Sequence, residues 1–343
     1  MRRLLARPRI RVGWATAATL TAPRATFRGL VEASVAMRVA GNARAIERLD
    51  PAVRCELYKA GRRYDCVVFC KAMAAPAQAA GAAVHETGGK VVFDANVNYY
   101  EVWGDYELDG TRPTTEQQQD AQAMTRLADL VVADSTYLRD IAAKVNPRVE
   151  WVPDNVDTTL FRPGRRRPAR EPIRLVWSGM SHKARPLLDL VPVLERVDGF
   201  ELVVVSNAEP PELAELVRVV PCRYEPFALR SYARILRDCD AIVSPKRLVN
   251  AYELAHTEWK ITLGMAAGLP AVASPQQSYV EAIEADGGGI VAESPDEWAA
   301  ALESLRDPAR RAELGARARK TVVERYSTPV VARRYLDALR SVL

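Results

Sequence analysis

The sequence predicts an α/β protein built from two doubly wound parallel sheets, and three observations lead there. Short apolar runs alternate with longer amphipathic ones along the whole chain, the pattern of strand, helix, strand. A break in composition at 162–171, RPGRRRPARE, divides that alternation into two blocks. The chain has 343 residues, 48% of them hydrophobic, which is material for two cores at roughly 100–200 residues per domain.

In the first block, strands are expected over 9–15, 54–58, 66–70, 90–95, 130–134 and 149–152, each a run of apolar residues bounded by polar or turn-forming ones. Helical patterns fill 27–49, 74–86, 115–128 and 136–145 between them. The proline- and glycine-containing break reads as an exposed linker, and its arginines also suit an acidic membrane surface or an anionic acceptor. Strands resume at 173–177, 200–206, 241–244, 271–274 and 289–292, with a shorter one near 219–223. Helices are expected over 186–197, 212–217, 229–238, 258–267, 279–285, 295–305 and 309–326. The last helix, 329–343, carries Val330, Tyr335, Leu336 and Leu339 on one side. The division is therefore 1–163 for the first domain, 164–171 for the linker, 172–327 for the second domain and 328–343 for a terminal helix suited to packing back on the first.

Composition narrows the function. Charged residues are 27% and the net charge is +5, too mild to demand a nucleic acid and suited to phosphorylated ligands or an anionic surface. Five cysteines without a CxxC pair, and only three histidines, argue against zinc and for reduced buried thiols. No apolar stretch reaches the length of a membrane span, and the basic start MRRLLARPR lacks the apolar run of a signal peptide.

Residues 259–274, WKITLGMAAGLPAVAS, are the most informative segment. Lys260 opens a short apolar helix, Gly268 can take the positive φ that ends it, Pro270 blocks continuation, and Ala271-Val272-Ala273 form a buried strand. A helix whose first turn faces a cleft offers unpaired N–H groups and a positive dipole end to a phosphate. The segment resembles the donor-binding helix of GT-B glycosyltransferases, where K-L-x-E-x-M-A-x-G-x-P-V-V-A-S is common. Val152-Pro153-Asp154-Asn155-Val156-Asp157, with Phe161 and Pro163, resembles the family's I-P-N-G-V-D-x-x-x-F-x-P signature. Residues 305–326, with Ala312, Gly315, Ala316 and Arg317, resemble its L-x-x-D-P-x-x-R-x-x-x-G-x-x-A-R region, ending in E-R-Y-S.

The resemblance, to the large retaining group 1 family, implies two Rossmann-like domains facing a central cleft. The first domain would bind the acceptor and the second a nucleotide-diphosphate sugar. The implied activity is a hexosyltransferase-like transfer to a hydroxyl or amine, without metal and with retention. The nucleotide sugar is a co-substrate and no cofactor is called for. The role would lie in bacterial glycan or natural-product synthesis, with membrane contact left open; the cysteine usage suits the cytoplasm. Two other readings share the scaffold: a sugar-nucleotide epimerase or atypical-donor transferase, and a non-catalytic partner subunit. They persist because family members often carry two glutamates at positions that here are Ala255 and Leu263, the second usually holding the donor ribose.

A diphosphate leaving group needs cations and N–H donors in a dry cleft. The strand expected at 173–177 runs into Ser178-Gly179-Met180-Ser181-His182-Lys183-Ala184-Arg185. Gly179 permits the turn, and Lys183 and Arg185 join Lys260 as phosphate ligands. Lys246 follows another strand. Glu253, His256 and Glu258 stand near the missing glutamates and could substitute on the sugar side. Tyr224 and Phe227 occupy the place of the nucleobase, or else plug the core. Tyr279 and Glu281 begin a helix whose turn faces the donor in relatives.

In the first domain Arg24 and Arg28 follow the opening strand, and Asp94, Asn96, Asn98 and Tyr99 cluster at the end of the strand over 90–95. Asp94 or Asn96 would hydrogen-bond sugar or acceptor, with Asp94 a base if its pKa is raised, and the others would contact the acceptor. An Asx turn is the plain alternative there. Asp238-Cys239-Asp240 spells D-x-D but joins a helix to a strand, where no metal site is expected.

Overall fold

The computed structural model describes residues 10–21, 26–27, 35–164 and 171–343. The first lobe is a sheet of six parallel strands: β1 Ile10–Ala15, β2 Val53–Leu57, β3 Cys66–Cys70, β4 Lys90–Ala95, β5 Leu130–Ala133 and β6 Val149–Trp151, in the order β2-β1-β3-β4-β5-β6. The second lobe repeats the design with β7 Ile173–Ser178, β8 Phe200–Ser206, β9 Cys222–Pro226, β10 Ala241–Ser244, β11 Ala271–Ala273 and β12 Gly289–Val291, in the order β12-β11-β10-β7-β8-β9. Central strands are mostly apolar because helices cover both faces; every residue of β3 is buried.

The strand order reverses between β1 and β3 in the first sheet and between β7 and β10 in the second. Ligands of such sheets bind outside the carboxyl ends of the strands at these reversals. The segments that leave β7 and β10 therefore matter most, and they carry Lys183 and Lys246.

The helix Trp259–Ala266 lies close on the second sheet. A Cβ at Gly264 would come within 2.9 Å of Ile242, and Gly268 ends the helix with φ +82°. The only residue type free of strain there is glycine. Leu263, where the resemblance leads one to expect a glutamate, is buried in the core with Ile261, Ile242 and Met265, a burial worth about 1.5–3 kcal/mol.

The terminal helix Thr328–Arg340 leaves the second lobe and packs on the helix Asn42–Leu49 of the first. It buries Val331, Ala332, Tyr335, Leu336 and Leu339 in the first lobe's core, with the Tyr335 ring 5.2 Å from that of Trp14. Val331 rather than Val330 faces inward. Two more connections tie the lobes. Val156 N donates to Tyr326 O at 2.8 Å, where the chain leaves the first sheet. A strap after β4 crosses to the second lobe, where Gly104 pairs with Asn250 in an antiparallel bridge.

No helix among the described residues is long and apolar enough to cross a membrane. The five thiols are free, and all but Cys222 are buried.

Candidate active site

The lobes face each other across a cleft. The first lobe lines it with Lys71, Asn96, Asp134 and Asp154, and the second with Lys183, Tyr252, His256 and Lys260, among others. Each side chain stems from a strand end or a helix start, as the topology requires.

Lys183 sits in the turn after β7. Its Nζ donates to Tyr252 Oη at 2.7 Å and stands 3.3 Å from His256 Nε2. His256 Nδ1 lies 2.8 Å from the Tyr252 carbonyl. A carbonyl only accepts, so the ring proton belongs on Nδ1, and Nε2 presents a lone pair to Lys183. Burial, with the charges of Lys246, Lys183 and Lys260, pushes the imidazole well below its usual range, so His256 is neutral.

Lys260 opens the helix under the same turn. A Cβ at Gly179 would meet the Trp177 ring at 2.7 Å and stand 3.4 Å from Lys260 Nζ, so glycine leaves the room that the ammonium uses. Burial lowers Lys260 well below its ordinary value, and Lys246 and Lys183 lower it further. Lys183 is brought down to about 8 by burial and then by Lys246.

Lys246 is placed by Ser274, whose Oγ accepts from its backbone N at 2.9 Å, and it pairs with Glu253 at 2.5 Å. Burial works against its charge, but Tyr279 and Glu253 hold its pKa above the ordinary value. Glu253 is set by the short helix Ala251–Leu254, which Asn250 caps by accepting from Glu253 N at 2.8 Å. Glu253 thus compensates Lys246, while Lys183 and Lys260 remain disfavoured as cations by burial and by the neighbouring lysines.

Other expected site residues have different surroundings. Asp94 is fully enclosed: its carboxylate accepts from Arg38 Nε at 2.7 and 3.0 Å, from Tyr335 Oη at 2.7 Å and from Asn96 Nδ2 at 3.0 Å. It is the counter-ion of Arg38, not a base facing a substrate. Asn96 does line the cleft, its Oδ1 accepting from Cys70 Sγ.

Asn98 is also turned away from an acceptor. It donates to the Ala251 carbonyl at 3.1 Å and accepts from Tyr100 N and Glu101 N, fastening the strap. Tyr99 packs on the first lobe's core. Arg24 and Arg28 lie outside the described residues.

On the second lobe, Tyr224 donates to the Ser206 carbonyl at 3.3 Å, and the Phe227 ring lies 5.5 Å from that of Tyr232. Both pack on the lobe's cores and neither lines the cleft. Glu258 is buried at the helix start, its carboxyl pushed well up by burial. Glu281 accepts from Thr136 Oγ1 at 2.6 Å, joining the lobes rather than facing the cleft. Arg185 is exposed and reaches Glu107 of the strap at 3.6 Å. Tyr279 is buried beneath the lysines, its Oη accepting from Ser244 Oγ at 3.1 Å.

Sequence reasoning passed over Arg38, Lys71, Asp134 and Tyr252. Lys71 holds φ +54° just after β3, a conformation that non-glycine residues adopt at an energetic cost and that clusters at functional sites. Lys71 and Asp134 both follow strand ends, so the rule that singled out Lys183 reaches them too. Arg38 lies inside a helical stretch, and nothing in the local sequence marks it.

Two six-stranded parallel sheets facing across a cleft, with cations on the second-lobe side, define the GT-B architecture. Comparison with known proteins agrees. Residues 173–307 match the family model described as Glycosyl transferases group 1. No curated protein sequence matches the chain. Among solved structures, the chain is similar to a glycosyltransferase from Rickettsia africae ESF-5, with TM-score 0.66 and 14% identity over 97% of this chain and 98% of that one. HepE from Anabaena, in complex with UDP and glucose, gives TM-score 0.64 and 12% identity over 96% and 99%. Sucrose-phosphate synthase from Thermosynechococcus elongatus gives 0.62 and 16% over 81% and 74%. At these identities the likeness is one of fold.

Proposed function

We propose that the protein is a glycosyltransferase that moves a sugar from a nucleotide-diphosphate sugar to an acceptor hydroxyl or amine without a metal ion. One observation carries the reading: on the second-lobe side of the cleft Lys183 and Lys260 stand together, with Lys246 behind them paired to Glu253, and all three lysines act on that one carboxylate. A buried excess of positive charge costs free energy until an anion fills it. A diphosphate suits the site because its oxygens can accept from several ammonium groups at once.

The chemistry follows from the charge. As the bond between the anomeric carbon and the diphosphate oxygen breaks, negative charge grows on the leaving group, and cations already in place stabilise it without rearranging. The first lobe would present the acceptor to the opposite side of the same cleft. Retention of configuration belongs to the proposal and rests on the resemblance of 259–274 alone; a cytoplasmic setting rests on the free thiols.

The HepE complex makes UDP the first probe. The test is thermal stabilisation by UDP, GDP and dTDP, each with and without a divalent metal. One of them should stabilise the protein in the presence of a chelator. Incubation with the corresponding labelled nucleotide sugar should then transfer label to an acceptor, and the anomeric configuration of the product decides retention. Silence from all three nucleotides would sink the proposal.

A further inference from the structure

Asp134 stands immediately after β5, on the floor of the cleft, and the proposed handling of the diphosphate makes no use of it. The residue is 3% exposed, yet it lines the cleft, and its Oδ1 has no hydrogen-bond partner among the described residues. A buried carboxyl oxygen left unpaired is costly, and native structures rarely keep one without a use.

Its neighbours are already engaged. Asp94 takes Arg38, Tyr335 and Asn96. Asp154 accepts from Arg38 Nη1 at 3.3 Å and from Thr257 Oγ1 at 3.0 Å. Asp134 therefore keeps an open oxygen where theirs are filled. Burial, and then the charge of Asp154, push its carboxyl well above the usual range, against the pull of Arg38. A carboxyl that keeps its proton both donates and accepts. The partner that answers in both senses is a hydroxyl.

We propose that Asp134 binds a hydroxyl of a sugar or polyol in the cleft, as a substrate-recognition residue contributed by the first lobe. The inference rests on the reading of the cleft as a site of glycosyl transfer. The hydroxyl can belong to the sugar of the donor or to the acceptor, and the experiment separates the two.

Asp134→Ala and Asp134→Asn are compared with the wild type in two arms. The first measures affinity for UDP and UDP-glucose by calorimetry. The second measures thermal stabilisation of the UDP-saturated protein by millimolar glycerol, myo-inositol, glucose or N-acetylglucosamine. UDP affinity should stay within about twofold in both variants, since one kept diphosphate site reports an intact fold. In Asp134→Ala, loss of about tenfold in UDP-glucose affinity relative to UDP, the scale of one hydrogen bond, assigns the hydroxyl to the donor sugar. Loss of stabilisation by a polyol assigns it to the acceptor. Asp134→Asn should recover part of either effect, because an amide still donates and accepts, and it decides the matter if the alanine variant does not fold. The inference is overturned if both variants match the wild type in both arms, or if the wild type shows neither a gain from the glucose moiety nor a response to any polyol. If the wild type prefers GDP or dTDP, the same arms are run with that nucleotide and its glucose conjugate; failure to bind any of the three would instead count against the glycosyl-transfer reading.

Discussion

Raising the pH should loosen the grip of the cleft on a nucleoside diphosphate, and Lys183 sets where this begins. Its ammonium titrates at about 8 in the empty site, down from 10.5, because burial and Lys246 disfavour its charge. A bound diphosphate needs the charged form, so the free protein must hold or regain that proton. With a pKa of 8, the protonated fraction falls roughly tenfold between pH 7.5 and 9, a loss of about 1.3 kcal/mol in binding. Lys260, also lowered by burial and the neighbouring lysines, adds to the slope.

Stability of the empty protein should move the other way. The folded-state pKa lies below the unfolded one, so between about 8 and 10.5 the unfolded chain binds more protons and folding gains with pH, by about 3 kcal/mol at most. Below pH 8 that cost is fully present, so Lys183→Met should raise the melting temperature of the apo protein at pH 7 while weakening UDP. Calorimetry of UDP across pH 7.5–9, on the wild type and on Lys183→Met, is the assay. The variant should lose one proton's worth of the slope. Equal slopes in the two proteins, or a flat profile in the wild type, would refute the reasoning.

Three other outcomes are expected. Arg38→Met strands the buried Asp94 carboxylate and should cost about 3–5 kcal/mol in urea unfolding, whereas Tyr335→Phe, which removes one hydrogen bond to it, should cost about 1–2 kcal/mol. Gly104→Ala puts a methyl group against the Val249 carbonyl at a residue with φ +83°; it should release the strap, destabilise by about 1–3 kcal/mol, and speed hydrogen exchange at the Asp105 and Ala251 amides. Lys260→Ala should weaken UDP by about 1.5–3 kcal/mol in titration calorimetry, the worth of a charged hydrogen bond.

Local sequence carries the sheets well because buried parallel strands have to be apolar on both faces. β3, β4, β8 and β10 have the bounds that their largely apolar runs predict. β9 does not: the expectation near 219–223 gave way to Cys222–Pro226, since an edge strand is half-exposed and its Arg-Tyr-Glu-Pro has no apolar signature. The helix expected over 186–197 is split into a tighter turn, Arg185–Leu190, and one short helix, Val191–Leu194, around two prolines.

In the cleft, Lys183, Lys246 and Lys260 were legible because they follow strand ends or open a helix on a recognisable motif. Asp94 was legible as a place and misread as a role. Its partner Arg38 is 56 residues away in sequence, and only folding shows that the carboxylate is neutralised. Glu258 and Glu281 failed for a similar reason. A glutamate near a site is visible in sequence, but whether it turns to the ligand, the core or the other lobe is settled by packing over more than 100 residues.

In the proposed function, cations from the second lobe hold a diphosphate. Titration of the wild-type protein with UDP and with UMP, in a chelator, tests this most directly. UDP should bind at least about tenfold more tightly than UMP, one charged contact's worth, and the gap should close in the double variant Lys183→Met/Lys260→Ala. Equal affinities for UDP and UMP in the wild type, or a gap that survives the loss of both lysines, would contradict it.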